Sequence, residues 1–118
     1  MRVLTCAPDP TALREGLRDL AVASEGKALR TLAALGPVPG AARDELMDLG
    51  RFLVRLDISV LVVVGEAGPV HAGAVLEGSW GEESRHVATP EEALAVVRAE
   101  APDVVLVAGL PDLVRALG

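Results

Sequence analysis

The side chains that could carry out chemistry are few, and they are scattered along the sequence. The chain has two histidines and one cysteine, His71, His86 and Cys6, and none of them shows the Cys-x-x-Cys or His-x-x-x-His spacing of a metal site. His71 lies shortly after Glu66, so a general base oriented by a carboxylate is one interpretation. No serine, threonine or cysteine is evidently placed as its nucleophile. A histidine on the surface of a helix is therefore the favoured alternative.

A glycine-containing turn, Gly65-Glu66-Ala67-Gly68, offers a different kind of chemistry. Free backbone N–H groups before a helix can hold an anion. The turn does not match GxGxxG, and glycine often closes such a turn without any ligand. Anion binding and simple turn closure both remain open for this segment.

The composition narrows the class of protein. The chain has 118 residues and a formal net charge of −6, without a basic cluster, so neither nucleic acid nor an anionic membrane is an expected partner. No apolar run is long enough to span a bilayer, and no signal pattern precedes the first apolar segment. The single cysteine excludes an intramolecular disulfide and fits a reducing compartment. We therefore expect a cytoplasmic protein that has no metal site.

Two β-branched runs that end in glycine, at 58–64 and 103–108, are typical of strands buried on both faces of a parallel sheet. Helical periodicity and cap residues complete an alternating pattern, in which Asp9 or Thr11 caps the first helix and Thr89 caps a later one. Further strands are predicted at 3–7, 28–35 and 85–88, and helices at 11–23, 41–56, 70–76, 90–101 and 110–117. The pattern predicts one Rossmann-like three-layer α/β domain over residues 1–118, with a mostly parallel sheet of about five strands.

In such a sheet, ligands bind beyond the carboxyl ends of the strands, so the residues that follow the strands are the candidate site. The predicted ligand-binding residues are Asp9, Gly65, Glu66, His71 and Gly109. Trp80 lies in a glycine-flanked loop and is a candidate contact for a protein partner, although packing over the domain edge is the favoured interpretation. No catalytic residue is assigned.

Several segments resemble the C-terminal domain of Mur ligases, most closely of the MurF type. The similar segments are Pro10 to Leu17, Leu49 to Gly65, Gly78 to Ser84 and Asp103 to Val107. The resemblance implies a Rossmann-like domain that closes over a central ATPase domain and helps to bind an amino acid or dipeptide and the nucleotide. ATP and Mg²⁺ are implied only together with that central domain, because the P-loop belongs to it and no GxxxxGK[ST] occurs here.

The chain departs from the family pattern at four polar places. Cys6 to Pro10 replaces Tyr-Asn-Ala-Asn-Pro, Leu35 to Gly40 replaces an acidic segment, Leu46 replaces a histidine, and Ala108 to Pro111 replaces the closing segment with its lysine, hydroxyl and arginine. The apolar framework persists, so the resemblance implies a preserved scaffold without catalysis of its own.

Three functions are compared on this basis. The first is a non-catalytic MurF-like domain that binds an amino acid or dipeptide, a protein partner or a second copy of itself. The second is the substrate-closing domain of an ATP-dependent amide ligase, active only with its other domains. The third is a flavodoxin-like or receiver-like module, which is disfavoured because position 108 is an alanine and no phosphoacceptor aspartate ends the strand at 58–64.

Overall fold

The computed structural model of the protein describes residues 1–79 and 83–118, and it confirms the alternation of strands and helices. The elements are β1 (Arg2–Cys6), α1 (Pro10–Ala23), β2 (Thr31–Leu35), α2 (Arg43–Arg55), β3 (Val60–Val64), a 3-10 turn (Gly65–Ala67), α3 (Gly68–Leu76), β4 (Ser84–Val87), α4 (Pro90–Glu100), β5 (Val104–Ala108) and α5 (Pro111–Leu117). Within the described ranges, no helix has the length and apolar character that a membrane crossing requires.

The five strands form one sheet with the order β1-β5-β2-β3-β4, and every neighbouring pair is parallel. β5 is the last strand in the sequence, yet it lies between β1 and β2. The predicted α/β class with a parallel five-stranded sheet is therefore confirmed. All five carboxyl ends lie at one edge, which we call the carboxyl edge.

Helices cover both faces of the sheet. α1, α2 and α3 pack on one face, where Leu61 and Val63 contribute to their apolar cluster. α4 and α5 pack on the other face, against Val60, Val62 and Val64. Because alternate residues of a strand point to opposite faces, each central strand must be apolar at every position. β2, β3 and β5 are buried throughout for this reason.

The closest approach between helices is that of α2 and α3. A Cβ atom added at Gly50 would lie 2.0 Å from the Val70 carbonyl oxygen, and one added at Gly73 would lie 1.9 Å from the Met47 carbonyl oxygen. Only residues without a side chain permit this contact, since both obstructing atoms belong to the backbone. The two glycines therefore set the position of α3, whose amino end reaches the carboxyl edge.

The element boundaries differ from the predictions by up to three residues, and the largest difference is at the start of β2. β2 begins at Thr31 rather than at residue 28, because the backbone N–H before it, on Arg30, donates to the Asp103 carboxylate at 2.8 Å. α3 begins at Gly68, directly after the 3-10 turn. Both predicted caps are present: Asp9 accepts from the Ala12 N–H and Thr89 from the Glu92 N–H.

Candidate functional site

Three of the predicted ligand-binding residues lie together at the carboxyl edge. Gly65, Glu66 and Gly109 line one cleft of about 460 Å³, and Pro37 and Pro111 also contribute to its wall. The turns after β2 and β5 meet here: a Cβ at Gly36 would lie 2.3 Å from the Gly109 carbonyl oxygen. We call this space the proline cleft.

A second cleft lies beside it and contains His71. Its volume is about 430 Å³, and its charged or titratable side chains are Arg43, Glu66, His71 and His86. We call it the histidine cleft. Gly65 and Glu66 line both clefts, so the 3-10 turn after β3 forms the wall between them. A guanidinium and a carboxylate thus line the same space, which suits a ligand with both an anionic and a cationic group.

His86 is bonded to that wall. Its Nε2 lies 2.7 Å from the Gly65 carbonyl oxygen. A carbonyl oxygen only accepts hydrogen bonds, so the Nε2 atom of His86 must carry the proton. The His86 ring is exposed in the histidine cleft, with its centroid 6.3 Å from that of His71.

His71 contacts a hydroxyl, which the sequence analysis did not foresee. Its Nδ1 lies 2.6 Å from the Ser84 Oγ. Ser84 is 5% exposed, so this hydroxyl is not open to a substrate, and the pair satisfies a buried polar group. Burial, and next the nearby His86, lowers the pKa of His71 below its ordinary value. In the general-base interpretation Glu66 would orient His71, whereas in the structure the His71 Nδ1 contacts Ser84.

Asp9 lies apart from these clefts. It follows β1 at the far side of the sheet, with β5 and β2 between β1 and β3. Its carboxylate caps α1 through a 2.9 Å bond from the Ala12 N–H. Its structural role is therefore clear, whereas its role in ligand binding stays a prediction.

Cys6 is half-buried and lines a separate cleft of about 200 Å³ next to α1. Burial, followed by the charges of Asp9 and Asp19, raises the pKa of its thiol, so the protonated form is favoured at neutral pH. Trp80, the candidate partner contact, lies outside the described residues. Among the residues that are described, no three metal-ligating side chains come together.

The topology and the clefts define a Rossmann-like α/β domain with its candidate binding site at the carboxyl edge. No family model matches the chain. The UDP-N-acetylmuramoyl-tripeptide--D-alanyl-D-alanine ligase of Mycobacterium leprae is 40% identical to it, over 84% of this chain and 23% of the ligase. The enzyme with the same name in Mycobacterium tuberculosis H37Rv is 38% identical, over 92% of this chain and 26% of the ligase.

A solved structure is similar to the fold. The crystal structure of MurF from Acinetobacter baumannii superposes with a TM-score of 0.68 at 19% identity, over 94% of this chain and 28% of that one. The chain is a domain related to the MurF type of Mur ligase. It spans about a quarter of the length of its curated relatives.

The residues that carry the resemblance noted in the sequence lie mainly in buried elements. β3 and β5 are buried throughout, and α2 contributes Leu49 and Leu53 to the core. A contact that the sequence did not reveal is the bond from His86 to Gly65. The sequence feature that could have indicated this bond is Gly68, a glycine at the start of a helix, which was predicted only as part of the turn.

Proposed function

We propose that this chain is a ligand-binding domain of a MurF-type ligation system, and that it has no catalytic activity of its own. Its ligand would be a small zwitterion, an amino acid or a dipeptide, held at the carboxyl edge. The cytoplasmic location expected from the sequence belongs to the same proposal.

The observation that carries the proposal is the pair of opposite charges in the histidine cleft. Arg43 and Glu66 line one space of about 430 Å³, which is roomy enough for a dipeptide. The relatives are named as ligases of D-alanyl-D-alanine, a dipeptide with one ammonium and one carboxylate group. Both charged side chains are exposed, so each contact would contribute only about 1 kcal/mol. The pair together gives about 2 kcal/mol, which corresponds to a dissociation constant of tens of millimolar.

The absence of catalysis is proposed from the sequence. Activation of a carboxylate by ATP needs a phosphate-binding site, and no GxxxxGK[ST] segment occurs in the chain. The segment after β5, Ala108 to Pro111, offers neither a lysine nor a hydroxyl nor an arginine. ATP and Mg²⁺ would therefore bind to another domain of the ligase, as expected if the chain is the substrate-closing domain of an ATP-dependent amide ligase.

Chemical-shift titration of the ¹⁵N-labelled protein tests the proposal. D-alanyl-D-alanine should shift the amide signals of Gly65 and Glu66, and N-acetylated dipeptide, which lacks the ammonium group, should bind less tightly. Glu66→Gln should remove that preference, and Arg43→Gln should weaken both ligands. The matched control is Glu91→Gln on α4, since Glu91 is exposed and does not line the histidine cleft. If neither dipeptide shifts any amide signal at a concentration of tens of millimolar, the proposal is wrong.

A protein-binding role is a second candidate, favoured by an exposed apolar pair. Val75 and Leu76, at the end of α3, are 49% and 63% exposed. If they bind a second copy of the chain, light scattering should show a dimer, and Val75→Ser with Leu76→Ser should give a monomer. A wild-type monomer at high concentration would contradict self-association.

A further inference from the structure

We propose that His86 is a positioning residue of the candidate site, because its Nε2–H holds the Gly65 carbonyl and so fixes the turn that carries Glu66 between the two clefts. For the ligand, the inference rests on the proposed function. For the turn itself, it rests only on the geometry of His86, Gly65 and Gly68.

The hydrogen bond joins two elements that the sequence separates. His86 belongs to β4, and Gly65 is the first residue after β3. The Gly65 carbonyl oxygen accepts from His86 Nε2 at 2.7 Å and also from the Gly68 N–H that follows the turn. Two donors therefore fix this one carbonyl. The imidazole makes its bond through the Nε2–H, since a carbonyl oxygen only accepts.

The two glycines of the turn have different roles, and the difference points to His86. Gly65 has φ of +61°, a left-handed conformation that favours glycine, with open space around the position of a Cβ. Gly68 has φ of −43° and ψ of −40°, which any residue can adopt. A Cβ at Gly68 would, however, lie 2.7 Å from the His86 Cε1 and 3.2 Å from its Nε2. Glycine at 68 thus makes room for the imidazole ring.

Glu66 is the side chain that this arrangement places. It lines the proline cleft, the histidine cleft and a third cleft beside Pro39 and Leu46. Its side chain is exposed on a three-residue turn, so the backbone of that turn sets the Cα position from which the carboxylate reaches into the clefts. When the bond from His86 is lost, the carboxylate should sample several positions, and its preference for an ammonium group should fall.

Four variants separate positioning from simple stability. His86→Gln keeps an N–H donor on a side chain of similar length, and His86→Met removes the donor but keeps a side chain of similar size. Gly68→Ala fills the space that the ring needs, although alanine is favoured over glycine within a helix. Glu91→Gln is the control, because Glu91 is exposed on α4 and lines neither the histidine cleft nor the proline cleft.

The first readout needs no ligand. Long-range ¹⁵N NMR of the wild type should show the His86 proton on Nε2. Hydrogen exchange of the N–H of residue 68, taken relative to the intrinsic rate of the residue present, should become roughly fivefold faster in His86→Met and in Gly68→Ala. His86→Gln and Glu91→Gln should exchange within about twofold of the wild type. A proton on Nδ1 of neutral His86, or unchanged exchange in both His86→Met and Gly68→Ala, would overturn the inference.

The second readout is the preference for D-alanyl-D-alanine over its N-acetylated form. His86→Met should lose it roughly fivefold, while His86→Gln should retain it. If the wild type binds neither dipeptide, the proposed function fails and the exchange measurement still decides the role of His86. If the turn loosens in His86→Met and the preference is unchanged, His86 is a structural residue only and the positioning role is refuted.

Discussion

The contact between α2 and α3 leads to the sharpest prediction, the replacement of Gly73 by alanine. The new Cβ would lie 1.9 Å from the Met47 carbonyl oxygen, whereas ordinary contact begins near 3.4 Å. The two helices must therefore separate by about 1.5 Å at this point. A carbonyl of the helix backbone cannot rotate away, so the strain is relieved only by a shift of α3.

The magnitude follows from two opposing effects. Added bulk in a well-packed interface costs about 1–3 kcal/mol, and the fixed backbone obstacle at Gly73 places this case near the upper end. Alanine gains about 1 kcal/mol over glycine in a helix. The net loss for Gly73→Ala should be about 2 kcal/mol, which lowers the melting temperature of a domain of this size by roughly 8 °C.

Urea unfolding followed by circular dichroism measures this loss. Gly16→Ala on α1 is the matched control, because its Cβ would meet the Cys6 Sγ at 3.0 Å, and a side chain can move. Ala99→Gly, at an exposed position of α4, measures the helix propensity alone and should cost about 1 kcal/mol. If Gly73→Ala is as stable as the wild type while Ala99→Gly loses the expected amount, the close approach of α2 and α3 is wrong.

The remaining predictions concern the two helix caps, the buried Thr31 hydroxyl and the pKa of His71. Asp9→Ala and Thr89→Ala should each lower the free energy of unfolding in urea by about 1 kcal/mol, because each removes a helix cap. Asp9→Asn should retain most of the stability that the cap provides. Equal losses for Asp9→Asn and Asp9→Ala would argue against the cap. Thr31→Val removes a buried hydroxyl that accepts a hydrogen bond from the Ser59 N–H at 3.0 Å, so the free energy of unfolding should fall by about 1–3 kcal/mol. Thr31→Ser is the conservative control. An unchanged free energy of unfolding in Thr31→Val would contradict the bond. Because burial lowers the pKa of His71, the unfolded chain binds this proton more readily, and stability should fall as the pH falls from about 6.5 through the folded-state pKa. NMR titration measures that pKa, His71→Gln should lack this part of the pH dependence, and a His71 pKa above 6.5 would refute the reasoning.

The central strands could be predicted because a strand covered on both faces has almost no choice of residue. β3 and β5 consist only of valine, leucine and alanine, and their positions are confirmed. The start of β2 was harder to predict, since the apolar Ala28 and Leu29 precede it with only Arg30 between. The strand begins after a side-chain bond from the Arg30 N–H to Asp103, a residue distant in sequence. Local periodicity contains no information about such a partner.

The candidate site was only partly predictable for the same reason. Gly65, Glu66 and Gly109 could be placed together, because parallel strands bring their carboxyl ends to one edge. The bond between His71 and Ser84 depends on how α3 packs against β4, which spacing along the chain does not reveal. The bond from His86 to Gly65 likewise requires the pairing of β3 with β4. The role of the predicted site residues in ligand binding remains a prediction.

The place of β5 in the sheet has a consequence for biosynthesis. β1 pairs with β5 from Arg2 to Cys6, and β5 also joins β1 to β2. Within this domain, β1 is therefore synthesised before β5 and has no sheet to enter until residues 104–108 are available. Until then, the emerging chain exposes β1 and the apolar side of α1 to chaperones and proteases. A translational pause before Val104 should therefore lower the yield of folded protein more than a pause after Ala108.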